Sequence, residues 1–231
     1  MSIRRGTMAL SLLLSLGLTA AGFAASKKRI HSTVGKKPPR RALILFDGKD
    51  TSAWRSRGSN KPAPWQIKDG YMQVRGGDIV TKQKFRDFKL HVEFWLPLMA
   101  DKHGQARANS GVYLQGRYEV QVLDSYGLKS KKNDCGAIYG YYAPRVNACA
   151  KPQIWQTYDI TFRTPRYDAL GRRTYAGRIT VYQNGILIQN KVKVPGPTRS
   201  GMKGELAQPG PILLQDHGNP IRYRNIWLVE K

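Results

Sequence analysis

From Ala42 onward the chain alternates apolar and polar residues over short runs bounded by Gly, Pro, Asn and Asp: "ALILFDG", "WQIKDGYMQV", "FKLHVEFWL", "SGVYLQG", "YEVQVLD", "TYDITFRT", "RITVYQNGILIQN" and "IRYRNIWLVE". A period of two is the signature of a strand with one buried face. Asn184-Gly185 between strand formers is the signal of a two-residue hairpin turn. No long stretch carries the 3.6-residue period with caps at both ends. Many short strands with regular turn signals predict an all-β, two-sheet antiparallel sandwich of the jelly-roll kind, with a closed barrel as the structural alternative.

Alternation also divides each strand. In "YEVQVLD", Tyr118, Val120 and Val122 take one face and Glu119 and Gln121 the other. In "HVEFWL", Val92, Phe94 and Leu96 point inward, leaving His91, Glu93 and Trp95 outside. Tyr113 and Gln115 oppose Val112 and Leu114, while Gln215 and His217 oppose Ile212 and Leu214. If these strands are neighbours, one sheet face carries Glu93, Trp95, Tyr113, Glu119, Gln121, Gln215 and His217. That set suits a sugar, with aromatic faces for C–H surfaces and amides and carboxylates for hydroxyl groups. Asp124 has the opposite parity to Glu119, so only a bend would bring it to that face. Two long irregular stretches, 125–152 and 194–211, interrupt the strands, and loops of that length are commonly functional.

The first 25 residues change the cellular picture. Arg4 and Arg5, an apolar run from Met8 and small residues through Ala25 form a signal-peptide pattern, so the chain is expected in the periplasm or outside the cell. In such a compartment Cys135 and Cys149 are expected to form a disulfide, contributing about 3 kcal/mol for a loop of about 15 residues. Their spacing is not that of a metal or redox site. With 39 Lys and Arg against 15 Asp and Glu, the formal charge is +24. Such a field favours anionic partners, and residues 26–41 read as a flexible basic arm that could touch anionic surfaces. No nucleic-acid motif is present, so nucleic acid is not an expected partner.

The order of "LFDGKDTSAW", "WQIKDGYM", "FRDFKLHVEFWL", "NSGVYLQGRYEVQVLDSYG", "CGAIYG", "WQTYDITFR", "VYQNG" and "GPILLQDHGNPIRYRNIWL" resembles the 3-keto-disaccharide hydrolase domain family across roughly residues 42–230. The resemblance implies a concanavalin A-like sandwich over 42–231 and an exported glycoside-cleaving enzyme acting on sugars oxidised to a ketone at carbon 3. For that chemistry Glu119 and His217 are the expected base and acid, in either order. Glu93, Trp95, Asn109, Tyr113, Gln121, Asp124, Tyr139, Gln215 and Arg222 are the expected substrate-binding residues, with Arg222 or Gln121 facing an oxyanion. No cofactor is expected, and a structural or catalytic divalent ion stays open. Two other functions fit parts of the pattern. Glu119-x-Gln121-x-x-Asp124 has the spacing of retaining β-glucanases with two of three carboxylate positions changed, and the same face would serve a non-catalytic carbohydrate-binding module.

Overall fold

A computed structural model describes residues 33–194 and 196–231; the signal-peptide segment and residues 26–32 of the basic arm lie outside the described residues. Among the described residues fifteen strands follow one another: β1 (Leu43–Phe46), β2 (Trp54–Ser56), β3 (Gln66–Lys68), β4 (Tyr71–Gln73), β5 (Ile79–Thr81), β6 (Phe88–Trp95), β7 (Ser110–Leu114), β8 (Tyr118–Val122), β9 (Trp155–Arg163), β10 (Arg166–Tyr167), β11 (Arg173–Tyr175), β12 (Arg178–Gln183), β13 (Ile186–Lys193), β14 (Leu213–Leu214) and β15 (Arg222–Glu230). One 3-10 turn, Gly104–Ala106, is the sole helical element among the described residues. No described helix is long and apolar enough to cross a membrane.

The expected sandwich is the fold. An eight-stranded antiparallel sheet runs β13-β12-β9-β6-β15-β4-β3 with β1 added on β15, and a five-stranded sheet runs β2-β5-β14-β7-β8. The alternating apolar positions meet between the sheets: Leu90, Val92, Phe94, Phe162 and Leu228 from the larger, Val112, Leu114, Val120, Val122 and Leu214 from the smaller. Each large side chain so buried contributes roughly 1.5–3 kcal/mol. Asn184 and Gly185 both have positive φ, 51° and 80°, and link β12 to β13 as the Asn-Gly signal predicts.

The two long loops both pack on the five-stranded sheet. Residues 136–142 close the free edge of β8: Gln121 N–H donates to Ala137 O (3.0 Å), Gly136 N–H to Gln121 O (2.9 Å) and Tyr139 N–H to Glu119 O (3.2 Å). Covering an edge strand in this way removes a row of unpaired backbone groups. The later loop is fixed to the β7–β8 turn through Thr198 N–H to Arg117 O (2.9 Å) and Met202 N–H to Gly116 O (2.7 Å). Met202 packs on a small apolar cluster of Val80, Tyr113 and Leu213 on the outer face of that sheet.

Cys135 and Cys149 are free, buried thiols and not the expected disulfide. The two thiols are near enough that each perturbs the other's ionisation. Cys135 Sγ also lies 3.1 Å from Tyr158 Oη, which donates to Gln121 O at 2.5 Å.

From Thr33 the basic segment lies across the outer face of the eight-stranded sheet. Thr33 bonds Thr157 through their hydroxyls, Gly35 N–H donates to Glu93 Oε1 (2.5 Å), and Lys36 pairs with Asp159 (2.8 Å). Beneath it His91 stands between Asp159 (3.0 Å) and Glu93 (3.6 Å). Burial pulls the imidazole pKa down, but the hydrogen bonds and charges of Asp159 and Glu93 outweigh it and raise it above its ordinary value.

Candidate active site

On the outer face of the five-stranded sheet a cavity of about 420 Å³ is lined by Gln105, Asn109, Tyr113, Glu119, Gln121, Tyr139, Arg199, Ser200, Gln215 and His217. Seven of these are residues that the alternation or the family resemblance singles out. β7 supplies Tyr113, β8 supplies Glu119 and Gln121, and Gln215 and His217 follow β14. Asn109 precedes β7, and Tyr139 comes from the loop that covers β8.

Glu119 is the one carboxylate among the lining residues and is 4% exposed. Burial pushes its pKa up, the hydrogen bond from Tyr113 opposes that, and the nearby Asp78 charge adds to the rise, leaving it at about 7. Tyr113 Oη donates to Glu119 Oε2 at 2.8 Å and accepts from Gln215 Nε2 at 3.1 Å. Room for the carboxylate depends on Gly111 of β7: a Cβ there would stand 2.6 Å from Glu119 Oε1 and 2.9 Å from Tyr113 Cε2. Glycine inside a strand often marks such a close approach.

A second wall is built from amides. Gln121 Nε2 donates to Gln105 Oε1 (2.9 Å) and Gln121 Oε1 accepts from Val122 N–H (3.1 Å), while Gln105 Nε2 donates to Asn133 O (2.9 Å). Asn109 Nδ2 donates to Gln105 O (2.7 Å), and the buried Oδ1 of Asn109 has no partner among the described residues. Gln121 therefore braces the wall, with its amide already engaged inside it. His217 is exposed at the rim. Its neighbour Asp216 accepts from Gly77 N–H and Gly218 N–H, each at 2.8 Å, and does not orient the imidazole.

Four expected substrate residues lie elsewhere. β6 and β15 belong to the eight-stranded sheet, so Glu93, Trp95 and Arg222 sit on the opposite outer surface of the sandwich. Glu93 is fully buried there, held by Arg224 (2.8 Å), Asn225 (2.8 Å) and Gly35, and these bonds, with His91, outweigh burial and lower its pKa to about 2. Arg222 stacks on Trp95 (4.2 Å) and Tyr71 (4.6 Å), far from an oxyanion role in the cavity. Alternation tells inside from outside but not which of two outsides, which is the origin of the error. Asp124 pairs with Arg107 (3.2 Å) and caps Tyr126 N–H (3.2 Å), in keeping with its opposite parity. Gln105, Arg199, Ser200 and Gly111 carry no signal in the strand pattern. Arg199 and Ser200 fall in the long 194–211 stretch, whose length is the one clue to them.

Among the described residues no group of three or more His, Cys, Asp or Glu side chains is placed to hold a metal ion. From this chain's own side chains the cavity offers a carboxylate ionising near neutrality, a phenol bonded to it, an imidazole and a guanidinium.

The 3-keto-alpha-glucoside-1,2-lyase-like domain matches residues 42–229. A curated 3-keto-disaccharide hydrolase of Bacteroides thetaiotaomicron is 30% identical over 97 residues, 37% of this chain and 30% of that protein. The match thus spans under a third of that relative. A candidate glycosyl hydrolase of Parabacteroides distasonis ATCC 8503 superposes with a TM-score of 0.77 at 41% identity, over 84% of this chain and 85% of its own. A second structure from the same organism, also a candidate glycosyl hydrolase, gives 0.61 at 19% identity over 82% of this chain and 94% of its own, and speaks for the fold alone. With its family match running across nearly the whole sandwich, the chain belongs to the 3-keto-alpha-glucoside-1,2-lyase-like family.

Proposed function

We propose that the protein is an exported enzyme that cleaves 3-keto-glycosides by elimination, with Glu119 as the base. The observation that carries this reading is a single desolvated carboxylate in the cavity, ionising at about 7, where a general base is most effective at neutral pH. A ketone at carbon 3 acidifies the hydrogen on carbon 2. Glu119 takes that proton, and the electron pair of the C–H bond forms the enolate. The enolate re-forms the ketone as the bond from carbon 1 to the leaving oxygen breaks, giving a carbon 1–carbon 2 double bond. Water adding its oxygen to carbon 1 and a proton to carbon 2 completes net hydrolysis.

Arg199 replaces Arg222 as the positive group for the enolate oxygen, and His217 at the rim protonates the leaving oxygen. The unpartnered Asn109 Oδ1 suits a sugar hydroxyl, since a buried acceptor without a donor costs roughly 1–3 kcal/mol. A retaining glucanase needs two carboxylates roughly 5–5.5 Å apart across the scissile bond, and Glu119 has no such companion among the lining residues.

Purified protein should turn over a 3-keto-glucoside and leave the matched glucoside intact. In deuterated buffer, recovered substrate or product should carry deuterium at carbon 2. Cleavage of the plain glucoside, or glycan binding without turnover of any ketone, would sink the proposal.

A further inference from the structure

Arg57 and Asp78 lie behind the cavity and line none of it, yet four separate segments meet at their side chains. Arg57 Nη1 pairs with Asp78 Oδ2 at 2.8 Å, and Arg57 Nη2 donates to Ser200 O at 3.1 Å. Asp78 Oδ1 accepts from Asp216 N–H at 2.8 Å, and Asp216 Oδ2 in turn accepts from Gly77 N–H at 2.8 Å. The Arg57 backbone N–H also donates to Asp78 O at 2.9 Å. One wall of the cavity carries Arg199 and Ser200, and another carries His217, next to Asp216. Apart from this pair, the tip of the first wall is held by Thr198 and Met202 on the β7–β8 turn and by the Arg199 O contact with Tyr113 Oη at 3.3 Å.

We propose that Arg57 and Asp78 are positioning residues that clamp the Arg199–Ser200 loop and the Asp216–His217 turn at a fixed separation across Glu119. The inference rests on the cavity's assignment as the reaction site. Arg57 suits the task because its rigid planar fork holds two acceptors in fixed directions, whereas the three donors of an ammonium rotate on a flexible stem. The pair is only partly buried, with 35% of the Arg57 side chain and 17% of the Asp78 side chain exposed, so its value is geometric rather than a large gain in stability. Asp78 also acts on the base through space: its charge adds to the rise in the Glu119 pKa, against the Tyr113 hydrogen bond. The charged or titratable groups around Glu119 are then Tyr113, Asp78 with Arg57, and the cavity's own Tyr139, Arg199 and His217.

Three variants test this with readouts that do not all require turnover. In R57M the 199–202 tip loses the tie at Ser200 O, so trypsin should cut after Arg199 and Lys203 faster than in the unmodified protein. On a 3-keto-glucoside its kcat should fall about tenfold with KM little changed, the pattern expected when transition-state groups are misplaced. R57K keeps an ion pair but not the second acceptor, and should resemble R57M in the trypsin assay. D78N removes a like charge, so carbon-13 titration of the Glu119 carboxyl should move below the unmodified value. Wild-type trypsin resistance and kcat in R57M would overturn the clamp, and an unmoved Glu119 titration in D78N would overturn the through-space action of Asp78. If the unmodified protein turns over no 3-keto-glucoside, the reaction assignment fails, while proteolysis still decides the clamp.

Discussion

Replacing Glu119 by Gln should abolish turnover and at the same time make the protein more stable at neutral pH. The carboxyl ionises near an ordinary 4.5 in the unfolded chain and at about 7 in the fold, because burial and the Asp78 charge outweigh the Tyr113 hydrogen bond. Between those values the unfolded chain gives up its proton while the native protein keeps it. Stability from this group is therefore complete below 4.5 and lost as pH rises through about 7. The gap from 4.5 to about 7, at about 1.4 kcal/mol per pH unit, comes to about 3 kcal/mol. The E119Q side chain would carry no charge at any pH and still accept from Tyr113. Calorimetry of both proteins from about pH 4.5 to about pH 8 should show melting points that coincide at the acid end. At the alkaline end E119Q should melt higher by about 6–12 °C, using about 2–4 °C per kcal/mol for a chain of this size. A difference independent of pH, or an E119Q protein less stable at the alkaline end, would refute the assignment of Glu119 as a desolvated carboxylate.

Y113F removes the hydrogen bond that Tyr113 donates to Glu119 Oε2; the rising limb of the pH–rate profile should move up by about one to two pH units, with activity recovered at high pH, whereas loss at every pH would count against it. G111A should cut kcat/KM at least about tenfold, because the added methyl meets the Glu119 carboxylate at 2.6 Å; unchanged kinetics would show that the carboxylate position is not critical. E93Q should lower stability by about 1–3 kcal/mol at neutral pH, since it removes the charged acceptor of Arg224 while His91 keeps Asp159, and kcat should stay within about twofold; a selective loss of kcat would return Glu93 to the substrate side. Thiol counting on the denatured, unreduced protein should find Cys135 and Cys149 both free; a linked pair would refute their assignment as buried thiols.

The strands and their inward faces are legible because burial on one side imposes a period of two, and the pattern holds at Val92, Phe94, Val112, Val120 and Leu214 wherever the strand sits. The Asn184-Gly185 turn is legible because it needs two positive φ values that few residues tolerate. Asp124 is expected at the site although its parity opposes that of Glu119, and the bend that would bring it round is absent: it pairs with Arg107 instead. Glu93, Trp95 and Arg222 are misassigned because a sandwich has two outer faces, and only the pairing of β6 with β9 and β15, and of β7 with β8 and β14, says which residues share one. The amide wall through Gln105, the arrival of Arg199 over the cavity and the Arg57–Asp78 clamp join segments far apart in the chain through single hydrogen bonds. Local periodicity carries no trace of such contacts. By itself, then, the sequence determined the strand faces, the turns and the identity of Glu119 as a scarce polar outlier among core positions. Tertiary structure decided which outer face became the cavity and which charges stand beside that carboxylate, because sheet order and loop docking are set by long-range packing and not by neighbours along the chain.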